Sequence, residues 1–423
     1  MRTKSFFLFL TAVFFILAAV RTNAQPIVDQ NDIKFESPAI ATLVGQDGLI
    51  MRTVDGGATW EVQNPGITNV LNAMDIYTYE EVTGINVTMM IAVGENGVLL
   101  KSVDNGLTWN VKANISTENL NDVAIYSADL IYVCGNNGTL LRSIDFGETF
   151  EPVAIPVTTN LNSFTFSGPQ TNLTRINAIV AGDSGTILVS QNAYDWTAVN
   201  SSTTENLFAA TFSGVNAICT GANGTIITSN DEGLSWVSSV SGVSTTIFDV
   251  KYLNILTAVA SSENGVVLRT EDGGATWTAI TTPVEADLFA LNFANENVGI
   301  SIGSEGTEIY SNDGGLTWLT GITANVLPAD KKFDAKLSQN YPNPFNPSTL
   351  INYSIPDNST VSIKIYDMTG REVRTLVNSY QAPGSYSVKF DAANLSSGIY
   401  FYVLRANTGK NEITKTMRMI LTK

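Results

Sequence analysis

One octapeptide recurs at near-constant spacing and restricts the chain to a repeat architecture. It reads TVDGGATW at 53–60, SVDNGLTW at 102–109, SIDFGETF at 143–150, SNDEGLSW at 229–236, TEDGGATW at 270–277 and SNDGGLTW at 311–318. A seventh copy, SQNAYDW at 190–196, is one residue shorter and has Asn192 in place of the Asp. The interval is roughly 40 to 50 residues, the length of one supersecondary unit that must stack on its neighbours to bury a core.

Two further signatures fix the phase. A tight turn precedes each octapeptide: GQDG, GENG, GNNG, GDSG, GANG, SENG and GSEG. Such turns supply the φ > 0 conformations that a two-residue hairpin needs. Upstream lies an L-x-x-φ-x-φ element: LNAMDI, LNDVAI, LNSFTF, LFAATF, IFDVKY and LFALNF, with Ile33 and Phe35 supplying the first copy. Each repeat therefore reads strand, strand, hairpin, strand, second turn, strand. Four short antiparallel strands at this period make a propeller blade. The expected fold is all-β: a seven-bladed β-propeller at 25–320, with every blade complete in sequence order and the ring closed without an exchanged strand.

The octapeptide is the Asp-box, also called the BNR repeat. Its Asp accepts backbone N–H groups within the turn, and the Ser or Thr hydroxyl closes it. The aromatic buries a large area between blades. Asp55, Trp60, Asp104, Trp109, Asp145, Phe150, Asp231, Trp236, Asp272, Trp277, Asp313 and Trp318 are thus expected as structural residues. Each acid sits alone in its own turn, whereas Ca²⁺ needs six to eight converging oxygens, so no metal is expected. Asp-boxes occur in sialidases, xyloglucanases, sortilin-like receptors and photosystem II assembly factors. The run of DGG-x-T-W copies with a preceding G-x-x-G resembles the last group most. That resemblance implies an arginine-rich surface. Here Arg52, Lys101, Arg142 and Arg269 share one strand position and are candidates for a sparse cationic band; strand-end snorkelling is the alternative.

The chain has no histidine, which removes Ser-His-Asp and Cys-His catalysis and HExxH zinc chemistry. No catalytic residue, metal or cofactor is expected. Residues 25–336 carry 11 basic and 34 acidic side chains, a net charge of −23, which argues against nucleic acid as a partner. Cys134 and Cys219 fall on opposite faces of non-adjacent blades and are expected free and buried. A carboxylate-pair glycosidase of sialidase or xyloglucanase type stays open as an alternative, as does an envelope assembly factor. Aromatics beside two carboxylates in an open groove would favour the enzyme; an exposed cationic band would favour the assembly factor. The longest connections, 77–86 and 168–174, are the expected binding loops.

Both ends of the chain carry export signals. Arg2 and Lys4 precede an apolar stretch at 6–20, too short for a comfortable span, and Thr22-Asn23-Ala24 places cleavage between Ala24 and Gln25. No transmembrane span is expected in the mature chain. After a linker at 321–336, residues 337–423 carry 9 basic and 5 acidic side chains and read as alternating strands of a small antiparallel, immunoglobulin-like β-sandwich. The run NYPNPFNPST, followed by VSIKIYDMTGREVRTLV, GSYSVKFDAANLSSGIYFY and a terminal KTMRMIL, resembles the type A sorting domain of type IX secretion cargo. The resemblance implies engagement of the type IX machinery through 337–423, and a protein secreted from, or held on the outer surface of, a Gram-negative bacterium. The expected function is a non-catalytic propeller that binds a protein or glycan partner.

Overall fold

The structure is a computed structural model that describes residues 26–422, except 81–85, 113, 168–174, 322–334, 338, 341–342, 356–358, 369, 382–383 and 408–411. The expected signal peptide and its Ala24/Gln25 cleavage site lie outside the described residues, as does the 168–174 connection.

Seven four-stranded antiparallel sheets occupy 30–63, 71–112, 120–152, 161–199, 207–240, 247–280 and 288–320. Within each, the strands are neighbours in sequence order, so every blade is made from one repeat and no strand is exchanged. Seven separate apolar clusters fill the seven interfaces between blades. Period-2 alternation produces this division: on the second strand of blade two, Met89, Ile91 and Val93 face blade three, whereas Met90 and Ala92 face blade one. Burial on both faces explains why these strands are near-continuously apolar and why the polar residues they bury, such as Thr42, Thr220 and Ser301, are small hydroxyls. The cluster between blades seven and one, with Ile33, Leu43, Met51, Ile300, Ile302 and Tyr310, closes the ring as the other six do.

The hairpin turn is type I′. Asp47 has φ 58° and Gly48 φ 70°, with Leu49 N–H donating to the Gln46 carbonyl, and the other six turns repeat this. The first Gly of the motif has a different duty. At Gly94, with extended φ near −172°, a Cβ would lie 1.9 Å from the Val70 carbonyl oxygen. Blade six carries Ser262 there, and its hydroxyl donates to the crowding Thr246 carbonyl at 2.6 Å.

Blade two departs from the pattern. Its inner strands, Leu71–Glu80 and Asn86–Gly94, run longer than their counterparts, so part of the expected 77–86 loop is an extended hairpin. Tyr79 packs edge-on against Phe146 of blade three.

The C-terminal part is a sandwich of a three-stranded sheet and a four-stranded sheet around Phe345, Ile351, Ile363, Phe390, Tyr402 and Leu404. Phe345, inside the proline cluster, is 1% exposed; its N–H donates to Ile420 and its carbonyl accepts from Thr422. Strand Ser348–Ile355 follows that cluster directly.

Candidate functional site

The six full Asp-boxes share one hydrogen-bond set. In blade one, Thr53 Oγ1 donates to Asp55 Oδ1 at 2.8 Å and accepts from Gly57 N–H at 2.8 Å. Thr59 N–H and Oγ1 donate to the two Asp55 oxygens at 2.8 and 2.6 Å. Asp104, Asp145, Asp231, Asp272 and Asp313 repeat the pattern. Hydrogen bonds to the ionised form hold Asp145 and Asp272 at about 2, led in each by the Thr hydroxyl at the box end.

The outer strand of each blade starts one residue after the box aromatic. Trp236, Trp277 and Trp318 donate their indole N–H to the carbonyl of their own box Gly, whereas Trp109 donates to Gln63 and Trp60 to Glu308 of blade seven. Trp236 and Trp318 are buried; Trp60, Trp109, Phe150 and Trp277 are half-buried. In the short fourth box, Asn192 accepts from the Tyr194 and Asp195 N–H groups, and Tyr132 of blade three donates its hydroxyl to the Ala193 carbonyl.

The four equivalent cations do not form an exposed band. Each lies between blades, beneath the next Asp-box. Lys101 is 6% exposed and donates to the Phe146 carbonyl and to Glu148. Arg269 donates to the Gly314 carbonyl and pairs with Glu271. Arg142 stacks on the Tyr194 ring at 4.7 Å, and Arg52 pairs with Glu36 at 3.2 Å. Their shared register is legible in the sequence; their direction is set by packing of one blade on the next. Cys134 and Cys219 are free and fully buried, on opposite sides of blade four, and burial pushes both thiols up.

The chemistry the sequence reading missed lies on the ring axis. The innermost strands enclose a cavity of about 790 Å³. Asp32, Asp75, Asp122, Asp249, Lys34 and Lys251 line it, together with Phe208, Phe248 and Phe289. The four acids join blades. Asp32 accepts from the Met74 N–H at 2.9 Å, Asp75 from Ile125 at 2.7 Å, Asp122 from Phe164 at 2.7 Å and Asp249 from Leu291 at 3.1 Å, each donor belonging to the next blade. Ser163 does the same for Ala210. Neighbouring inner strands are not paired as a sheet, and these side chains satisfy amides left open by that arrangement.

Burial raises Asp122 to about 7, against the opposing pull of Lys34 and of the Phe164 N–H. Burial raises Asp75 as well. Burial opposes the charge on Lys34, but Asp32, Asp75 and Asp122 outweigh it and hold the ammonium above its usual range. A sequence signal existed: in several repeats an acidic residue or a serine follows the inner strand's first residue by two or four places. Among the described residues, no three acidic or thiol side chains converge as a metal site, and no helix is long and apolar enough to cross a membrane.

Comparison with known proteins agrees with this architecture. Residues 339–420 match the family described as the secretion system C-terminal sorting domain, and residues 18–118 match photosynthesis system II assembly factor YCF48. A solved structure of YCF48 bound to D1 peptide superposes with a TM-score of 0.55 at 20% identity, covering 68% of this chain and 94% of that one. YCF48 from Cyanidioschyzon merolae gives 0.56 at 19% identity, covering 68% and 97%. The WD40 repeats of RRP9 give 0.54 at 10% identity, covering 67% and 94%. No curated protein matches the chain. The fold and the tail together define a β-propeller marked for secretion or the cell surface. More particularly, the propeller resembles the photosystem II assembly factor and the tail is a type IX sorting domain.

Proposed function

We propose that this chain is a non-catalytic binding propeller, exported from a Gram-negative bacterium by the type IX machinery through 337–423 and acting on the cell surface or outside the cell. In this reading 1–24 is a signal peptide, 25–320 the propeller, 321–336 a linker and 337–423 the sorting domain. The observation that carries it is the match of 339–420 to a secretion sorting domain, joined to a propeller whose axial acids are engaged in holding blades together. The partner is a protein or a glycan, met at an end of the axial cavity.

One observation favours a glycosidase as the second reading: aromatics and carboxylates share the cavity, and Asp122 titrates near neutrality, as a general acid does. Against it, Asp122 accepts from the Val123 and Phe164 N–H groups with its two oxygens, which ties both to the fold. The assembly-factor reading loses its exposed cationic band, because those four cations lie between blades.

Two experiments test the proposal. Deleting 337–423 is expected to leave the protein inside the cell, with export followed by immunoblotting of medium and surface fractions; undiminished export would remove the sorting role. The purified chain, incubated with the cell's own envelope extract, is expected to capture a partner without altering it. A shortened glycan or a cleaved protein among the products would establish an enzyme.

A further inference from the structure

The sevenfold pattern breaks at one ring of equivalent positions. Where the innermost strands begin, blades one to four carry Asn31, Asn72, Asn121 and Asn162, and blades five to seven carry Phe208, Phe248 and Phe289. Each Asn Nδ2 donates to the first carbonyl of the next inner strand, at Leu71, Leu120, Leu161 and Leu207, over 2.9, 2.8, 2.9 and 2.9 Å. A phenyl ring has no donor for the equivalent Ile247 and Leu288 carbonyls. The three rings instead meet one another, with centroids 6.4 and 5.2 Å apart, the closer pair edge to face. All three are only half-buried, and all three line the axial cavity.

This arc suits neither structural duty available at the position. An asparagine would join the strands, and a core phenylalanine would be buried. What remains is apolar surface kept at the mouth of a water-accessible cavity, facing a half-ring of amides. A few placed polar groups beside aromatic surface in a concavity is the usual composition of a small-molecule site.

We propose that this mouth binds an uncharged glycan, with one sugar ring laid on the Phe208–Phe248–Phe289 arc and its hydroxyls donating to the asparagine Oδ1 atoms and to the Ile247 and Leu288 carbonyls, which no asparagine reaches. The inference rests on the binding function proposed above and names its ligand class. A sugar presents a C–H face and a belt of hydroxyls on one small body, which matches a wall that is aromatic on one side and amide on the other. An aliphatic peptide side chain would cover the rings but would desolvate the amides without replacing their hydrogen bonds. Acidic sugars are excluded by charge, because residues 25–336 carry a net −23. The volume of about 790 Å³ admits the end of a chain.

The test is calorimetric titration of the full chain with cellohexaose, mannohexaose and chitohexaose, and with hexagalacturonate as the acidic probe. At least one neutral hexamer is expected to bind and hexagalacturonate is not. Phe248→Ala is expected to weaken that binding at least tenfold while the thermal midpoint stays within a few degrees of the parent. Phe248→Trp keeps an aromatic surface there, and its fluorescence is expected to shift when the bound hexamer is added. Failure of all three neutral hexamers to bind, preference for hexagalacturonate, or binding indifferent to both substitutions would overturn the inference. If the sugars fail while the chain still captures a partner from envelope extract, only the ligand class falls; if both fail, the binding function falls with it.

Discussion

Gly221 and Ser262 occupy equivalent positions and answer the same crowding differently. A Cβ on Gly221 would lie 2.0 Å from the Asn206 carbonyl oxygen, inside any real contact. Gly221→Ala is expected to cost about 2 kcal/mol or more, the scale of a forced backbone shift, measured by urea unfolding. Ser262 meets the equivalent carbonyl, that of Thr246, with a hydroxyl donor. Ser262→Ala is expected to cost about 1 to 2 kcal/mol, since the hydroxyl's bonds to the Thr246 carbonyl and the Thr245 hydroxyl go while the Cβ stays. A Gly221→Ala protein as stable as its parent would refute the close approach. The Asp-box acids behave oppositely to buried ones. Asp272, held at about 2 by hydrogen bonds led by the Thr276 hydroxyl, lies below its unfolded value of about 3.9. Its contribution to stability is therefore present above about pH 4 and lost as pH falls through about 2. A carboxyl ¹³C titration is expected to place its midpoint near 2.

At the scale of the strand, the axial acids substitute for a ladder that the ring geometry forbids. Inner strands of neighbouring blades lie side by side without pairing, and Asp122 bridges the third to the fourth. Its folded value of about 7 lies above the unfolded value of about 3.9. The sign is the reverse of the Asp-box: the contribution is full below about pH 4 and is lost as pH rises through about 7. The thermal midpoint is expected to fall across that window, and Asp122→Asn to flatten the slope. An unchanged slope in the variant would mean that another group sets it.

The whole ring depends on its seam. Glu308 stands where the other blades carry Ile50, Leu99, Leu140, Ile187, Ile226 and Val267, and Tyr310 stands where several carry Arg or Lys. Glu308 accepts from Trp60 Nε1 at 2.9 Å and Gln30 Nε2 at 3.2 Å, both in blade one, and from the Tyr310 hydroxyl. Burial raises its carboxyl, with those three donors opposing. The seam between the last and first repeats is thus held by a polar clasp on top of its apolar cluster. Glu308→Ala is expected to cost about 2 to 4 kcal/mol, because it leaves buried donors unpaired as well as removing bonds. Chemical denaturation checks this, and a loss below about 0.5 kcal/mol, the range of ordinary surface changes, would assign closure to the apolar cluster alone.

The repeats themselves carried most of this architecture into view. Blade number, strand order, type of hairpin residue and the internal closure of each Asp-box follow from local patterns, because each depends on residues within a few positions of one another. The sandwich was legible for the same reason, through alternation and turn spacing. The direction of the Arg52, Lys101, Arg142 and Arg269 side chains was not, since a strand position gives a register but not which neighbour fills the space above it. Nor was the axial site. Asp32, Asp75, Asp122 and Asp249 come from separate repeats, and the Asn and Phe half-rings draw on all seven. Only closing the sheet stack into a ring brings residues so distant in sequence onto one axis, where low dielectric and shared strand amides give them their chemistry.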